Sequence, residues 1–86
     1  MVKVKTIKEF VKKLKKNEGK RFEIKIALAG GGVFSRHLFM YEGSGLIYHM
    51  SFVDSTDETL SVKELSKGLF EKAFRKKAVL SVELAG

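Results

Sequence analysis

The sequence predicts one small α+β domain, and three observations support this fold class. With 86 residues, of which 44% are apolar, the chain is long enough for one hydrophobic core and too short for two. Apolar residues recur at helical spacing in two segments and at every second position in others. No repeat or linker-like stretch divides the chain. We therefore expect a single domain over residues 1–86 with the element order α-β-β-β-α-β, in which two helices pack on a mainly antiparallel four-stranded sheet.

An amphipathic helix is expected at the start of the fold. The segment Thr6-Ile7-Lys8-Glu9 has the form of a capping box, in which a threonine hydroxyl and a glutamate satisfy free amides at a helix start. The helix should run to about Lys16, and Gly19 suits a left-handed cap beyond its end. One apolar stripe at helical spacing is expected to face the core, formed by Ile7, Phe10, Val11 and Leu14.

Three strands are expected to follow as a meander. Apolar and charged residues alternate from Arg21 into the segment that ends at Leu28, which predicts the first strand. The segments 33–42 and 45–53 are rich in residues that favour strands. Because Gly43-Ser44 lies between them, these two segments should form a hairpin with its turn at these two residues.

A second helix should begin at another capping box, Ser61-Val62-Lys63-Glu64, and continue to about Lys77. The acidic segment 54–58 before it is interpreted as a polar loop. The side of this helix that faces the core should carry Val62, Leu65, Leu69, Ala73 and either Phe70 or Phe74. The last strand, over residues 79–84, is expected beside the first strand and parallel to it, which gives the strand order 4-1-2-3.

The hairpin has more apolar surface than one layer of helices can cover. Pairing Glu42 with Gly45 places Phe39 opposite Tyr48. Four aromatic residues then share one face, namely Phe39, Tyr41, Tyr48 and Phe52. The opposite face is also largely apolar, so we expect one of the two faces to be a contact surface. Three explanations stay open: internal burial of both faces, a homodimer interface, or a platform on which nucleic-acid bases stack.

Positive charge is concentrated at the start of the chain. Residues 1–25 contain ten Lys or Arg and three Glu, whereas residues 26–86 contain seven of each sign. Such a surface suits nucleic-acid backbone or another acidic partner, although a solvated helix face has the same composition. Because lysine predominates over arginine, we expect diffuse, salt-sensitive attraction rather than base recognition. The residues expected to bind are Lys8, Lys12, Lys13, Lys15, Lys16, Lys20 and Arg21.

No motif predicts catalysis or a cofactor. His37 and His49 fall on opposite faces in the register above, and the chain has no Cys, so no metal site is expected. Serines such as Ser35 accompany a histidine and Asp54, but their spacing does not resemble a nucleophile elbow. The run Ala29-Gly30-Gly31-Gly32 lacks the Gly-Lys-Ser/Thr of a phosphate loop. We therefore expect no catalytic residue, no metal and no small-molecule cofactor.

These observations favour a small non-enzymatic binding module that engages nucleic-acid backbone or an acidic protein through its basic helix. The alternative is a protein-interaction or inhibitor domain, in homodimeric form, that uses the aromatic hairpin. Absence of Cys fits a reducing compartment, and no segment has the apolar length of a signal peptide core or a membrane span. A cytoplasmic location is therefore expected.

Overall fold

A computed structural model describes residues 4–27 and 34–85. These residues form a small α+β domain, as predicted, with one antiparallel sheet in the strand order β4-β3-β2-β1-β5. The helices are α1 (Ile7–Lys16), α2 (Val62–Leu65) and α3 (Leu69–Arg75). The strands are β1 (Arg21–Ala27), β2 (Phe34–Gly43), β3 (Leu46–Ser51), β4 (Asp57–Ser61) and β5 (Val79–Leu84). Leu28 and the glycine run at 30–32 lie outside the described residues.

The prediction of four strands in the order 4-1-2-3 was wrong, because it missed β4. This strand was interpreted as the end of a polar loop and the start of a helix. The additional strand also explains why the predicted direction of the last strand was wrong. Two strands of one sheet that are joined by a helical crossover run parallel to each other, so β5 has the direction of β4. The direction of β4 is opposite to that of β1. The final strand, β5, therefore lies beside β1 as expected but is antiparallel to it.

The first helix matches its prediction, whereas the second is divided. The hydroxyl oxygen of Thr6 accepts a hydrogen bond from the backbone N–H of Glu9 at 3.1 Å, and α1 ends at Lys16. The expected helix over residues 61–77 is interrupted, and Gly68 caps the start of α3. This break shifts the helical phase, so Leu69 is 70% exposed instead of facing the core. The buried residues of α2 and α3 are Leu65, Phe70, Ala73 and Phe74.

The hydrophobic core lies between the helices and one face of the sheet, which we call the inner face. Phe10 of α1 is fully buried there, with its ring edge-on to Phe39 at 5.4 Å and stacked on Phe74 at 5.8 Å between centroids. Beneath these rings the inner face carries Phe22, Ile24, Ile26, Ile47 and Val82. The opposite face, called the outer face, has no described helix packed over it. Within the described residues, no helix is long and apolar enough to cross a membrane.

The register of the β2–β3 hairpin differs from the prediction by one residue. Its turn is Ser44-Gly45, both with positive φ (54° and 75°), as a two-residue hairpin turn requires. Gly43 pairs with Leu46, and the register shifts between Tyr41 and Gly43. Because side chains alternate along a strand, a one-residue slip moves every β3 side chain to the other face relative to β2. The faces assigned to the hairpin from the sequence were therefore wrong.

Candidate functional site

Four of the five predicted basic residues on α1 are exposed on the side that faces away from the core. Lys8, Lys12, Lys15 and Lys16 are exposed, and we call these four residues the basic stripe. Lys13 is half-buried beside the stripe. Within the described residues, no lysine of α1 takes part in an ion pair. Helical spacing places the four lysines on one side of α1, so their charge is directed away from the core. No described acidic residue forms an ion pair with them.

The two remaining predicted cations follow α1 along the chain. Lys20 and Arg21 are both exposed. Arg21 begins β1 and lines a shallow cavity of about 330 Å³ on the outer face together with Met40, Tyr48 and Met50. The interaction with the Asp57 carboxylate is the main cause that raises the pKa of Tyr48, and the charge of Arg21 acts in the opposite direction. The seven predicted cations are thus divided between α1 and the edge of the outer face.

The predicted aromatic cluster does not exist as one surface. Phe39 is fully buried under the helices, and Tyr41 lies half-buried on the same inner face, where its hydroxyl accepts a hydrogen bond from the Gly45 N–H at 3.0 Å. Tyr48 lies on the outer face. Phe52 is 45% exposed beyond β3, with the Arg36 guanidinium 4.9 Å from the centre of its ring. Only Tyr48 therefore combines an accessible aromatic ring with a neighbouring predicted cation.

A chain of four polar side chains crosses the inner face, and the sequence did not predict it. We call it the histidine relay. A serine oxygen of β2, Ser35 Oγ, lies 3.0 Å from His37 Nε2. His37 Nδ1 lies 2.9 Å from His49 Nε2, and His49 Nδ1 lies 2.7 Å from Glu58 Oε2. The two imidazoles and Ser35 are buried, whereas the Glu58 side chain is 41% exposed. The relay therefore connects the interior of the sheet to its β4 edge.

With a neutral His49, the partners in the relay determine where each ring proton lies. An ionised Glu58 carboxylate can only accept, so His49 Nδ1–H donates to it and leaves His49 Nε2 as an acceptor in the neutral ring. His37 Nδ1–H then donates to His49 Nε2, and His37 Nε2 accepts from the Ser35 hydroxyl. Every member is satisfied, which is what allows polar groups to remain buried at this position.

Aromatic rings pack against both imidazoles of the relay. The Phe70 ring lies edge-on to both imidazoles, with centroids 5.0 Å from each, and Phe39 stacks on His49 at 4.7 Å. Burial first, and the charge of His49 second, lower the pKa of His37 to about 4. His37 is therefore neutral at physiological pH, as the assignment of its ring protons requires.

One signal in the sequence could have revealed part of the relay. Ser35 and His37 lie two residues apart on one strand, so they share a face in any register. The turn at Ser44-Gly45 would not by itself have placed His49 on that face, because regular pairing from this turn sets His49 opposite Met40. The irregularity between Tyr41 and Gly43 moves His49 opposite Phe39, and no local sequence signal marks it. Glu58 was assigned to a loop, and only the presence of β4 pairs it directly with His49.

Comparison with known proteins gives no relative from which to transfer a function. No protein-family model matches the chain, and neither a curated protein nor a solved structure matches it. Its function must therefore be argued from the geometry of its own residues.

Proposed function

We propose that the protein binds the phosphate backbone of nucleic acids through the basic stripe on α1. The observation that carries this proposal is the exposure of Lys8, Lys12, Lys15 and Lys16 on one side of a helix, with no ion pair to any described acidic residue. Such a surface attracts phosphate by releasing counterions, without any rearrangement of the fold.

The dimensions of α1 suit contact with several phosphates. Ten helical residues extend over about 15 Å. Neighbouring phosphates on one strand of a duplex are separated by about 3.4 Å along its axis, so the stripe can reach several of them. Lysine ammonium groups contact phosphate as flexible point charges and do not read base edges in a fixed geometry. We therefore propose binding that depends on charge density and not on base sequence.

The positions of the aromatic side chains favour duplex over single-stranded nucleic acid. Proteins that bind single strands combine cations with aromatic rings on which bases stack. Here α1 packs on the inner face, whereas Tyr48 lies on the outer face. Among the described residues, the cation that lies over an aromatic ring is Arg36, over Phe52, and not a lysine of the basic stripe. The higher charge density of a duplex should therefore decide the preference.

A salt titration tests this proposal. Binding of a fluorescent duplex of about 20 base pairs, followed by anisotropy, should weaken with a log-log slope of about −3.6 if four lysines contact phosphates. A Lys12→Gln/Lys16→Gln variant should reduce that slope to about half. The matched control is Lys63→Gln/Lys67→Gln, which removes two exposed lysines outside the stripe and should leave the slope unchanged. Absence of binding at low salt, or equal losses in both variants, would reject the proposal.

A second candidate function rests on the outer face. Leu38 is only 7% exposed there, while Met40, Tyr48 and Met50 are half-buried on a face with no described helix above it. Apolar side chains on an uncovered antiparallel sheet mark sites of protein association. This observation favours a protein-interaction domain, with a homodimer as the simplest form.

Light scattering over a range of concentrations distinguishes this candidate from the first. If the outer face forms a homodimer, the protein should have twice its monomer mass, and Met50→Lys should convert it to a monomer. The lysine variant of α1 should remain dimeric in the same experiment. A protein that is monomeric at all concentrations excludes the homodimer and leaves a different protein partner to be sought for this face.

A further inference from the structure

The serine end of the histidine relay lines a cavity between α3 and the sheet. The cavity has a volume of about 320 Å³, and Ser35 forms part of its wall. Most of the wall is apolar and includes Leu69 and Ala73, while two cations, Lys72 and Lys76, also line it. The relay therefore joins this cavity, which we call the serine cavity, to a carboxylate at the protein surface.

The direction of the hydrogen bonds determines what Ser35 offers to a ligand. Its hydroxyl proton is donated to His37 Nε2, so only oxygen lone pairs remain for a molecule in the serine cavity. A serine hydroxyl that donates to a neutral imidazole, itself oriented by further partners, is the arrangement found in nucleophilic sites. In this protein the orienting partners are His49 and Glu58.

The second imidazole compensates for the weak basicity of the first. His37 alone would be a poor proton acceptor, because burial lowers its pKa to about 4. When its Nε2 receives the serine proton, however, its Nδ1 proton can move 2.9 Å away to His49 Nε2. The positive charge then resides on His49, whose Nδ1 lies 2.7 Å from the Glu58 carboxylate. The buried ring of His37 thus never holds the charge.

We propose that Ser35 is a nucleophile toward esters of small apolar carboxylic acids that bind in the serine cavity. His37 is the general base, and His49 and Glu58 are positioning residues that act through it. The proposal does not depend on nucleic-acid binding. It departs from the expectation of no catalytic residue, which was based on a serine spacing that does not resemble a nucleophile elbow.

The proposed step balances without an oxidant or a metal. Ser35 Oγ forms a bond to the ester carbonyl carbon as its proton moves to His37 Nε2, and the Nδ1 proton of His37 moves to His49. Lys72 and Lys76 supply positive charge in the cavity for the oxyanion that develops. The carbon–oxygen bond to the alcohol then breaks, the leaving oxygen takes the proton from His37 Nε2, and His49 returns its proton to His37 Nδ1. Water then attacks the acyl carbon as its proton moves to His37 Nε2, and the bond to Ser35 breaks as Oγ takes up that proton, which releases the acid.

Labelling with an alkyl fluorophosphonate tests the nucleophile directly. The reagent avoids the background that lysine amines would give with activated esters. Ser35 Oγ should bond to phosphorus as fluoride leaves and the proton passes to His37. Intact-mass and peptide mass spectrometry should show one adduct, located on Ser35. Ser35→Ala should give none, whereas Ser51→Ala should be labelled at the wild-type rate, because Ser51 is equally buried on the same face but lies outside the relay.

Glu58→Gln provides a second test at an exposed position that does not endanger folding. It should slow labelling at least about tenfold, because the carboxylate no longer stabilises the charge on His49. The acidic limb of the labelling rate against pH should also move to lower pH, which a purely structural role would not cause. An unlabelled wild-type protein that is folded by circular dichroism, an adduct elsewhere than Ser35, or equal rates in wild type and Glu58→Gln would overturn the proposal.

Discussion

Replacing His37 with glutamine should remove much of the pH dependence of folding stability. Burial, followed by the charge of His49, lowers the pKa of His37 from 6.5 to about 4 in the folded protein. In the unfolded chain the imidazole titrates near about 6.5. The unfolded state therefore binds a proton at a pH where the folded state does not. The contribution of His37 to the free energy of unfolding is fully present above about pH 6.5 and is lost as the pH falls towards about 4.

The size of this effect follows from the difference between the two pKa values. Each pKa unit corresponds to about 1.4 kcal/mol, so the free energy of unfolding should fall by roughly 3 kcal/mol across the interval. The side chain is only 7% exposed, so solvent screens this effect little. Glutamine retains a donor and an acceptor but cannot titrate. Its imperfect hydrogen bonds should cost about 1–3 kcal/mol at neutral pH.

Urea unfolding followed by circular dichroism, in small pH steps, measures both proteins. Other groups titrate in the same range. A hydrogen bond from Arg36 lowers the pKa of Glu23, which also destabilises the fold as the pH falls. Both proteins share that contribution, so the difference between them isolates His37. If His37→Gln loses as much stability as the wild type over this interval, the assignment of a neutral, buried His37 is wrong.

Three further predictions concern the fold. Phe10→Ala should lower the unfolding free energy by about 3–5 kcal/mol, because Phe10 is fully buried between two phenylalanine rings. Leu69→Ala, at a side chain that is 70% exposed, is its control, and equal losses in urea unfolding would contradict the packing. Gly45→Ala should cost about 1–2 kcal/mol from backbone strain alone, since φ is +75° and no atom lies within 4 Å of an added Cβ. An unchanged urea midpoint would contradict this turn geometry. Ser61→Ala removes the reciprocal cap of α2 and should cost about 1 kcal/mol in thermal unfolding, whereas a neutral effect would show that the cap contributes nothing.

Local patterns in the sequence predicted the elements whose signals are strong. The first helix follows from its capping residue Thr6 and its apolar stripe, and both are confirmed. The strand β1 follows from the alternation that begins at Arg21, and its buried residues are those expected. In both elements one side packs on the core, so the hydrophobic period and the fold agree.

The turn of the hairpin illustrates why a small local error had a large consequence. Gly43-Ser44 and Ser44-Gly45 are both acceptable turn pairs by composition, and Gly43 also has a positive φ of 91°. The structure uses the second pair, which moves the pairing by two residues, and an irregularity between Tyr41 and Gly43 reverses one of them. The register of the hairpin therefore differs from the prediction by one residue. That slip brought His37 and His49 together and separated Phe39 from Tyr48. The relay and the loss of the aromatic cluster have this single cause.

The strand β4 carries no pattern that a sequence can reveal. Its residues Asp57, Glu58 and Thr59 are exposed at the edge of the sheet, so no apolar alternation marks them. Its pairing with β3 is determined by tertiary structure. Because Glu58 belongs to this strand, a prediction that lacked β4 also lacked the carboxylate of the relay.

Mapping the binding surface by NMR is the most direct test of the proposed function. A duplex added to ¹⁵N-labelled protein at low salt should shift the backbone amides of α1, and most strongly those of Lys8, Lys12 and Lys16. The amides of Tyr48 and Met50 on the outer face should not move. Shifts confined to the outer face, or no shifts at any duplex concentration, would contradict the account and leave the basic stripe as a solvated helix surface.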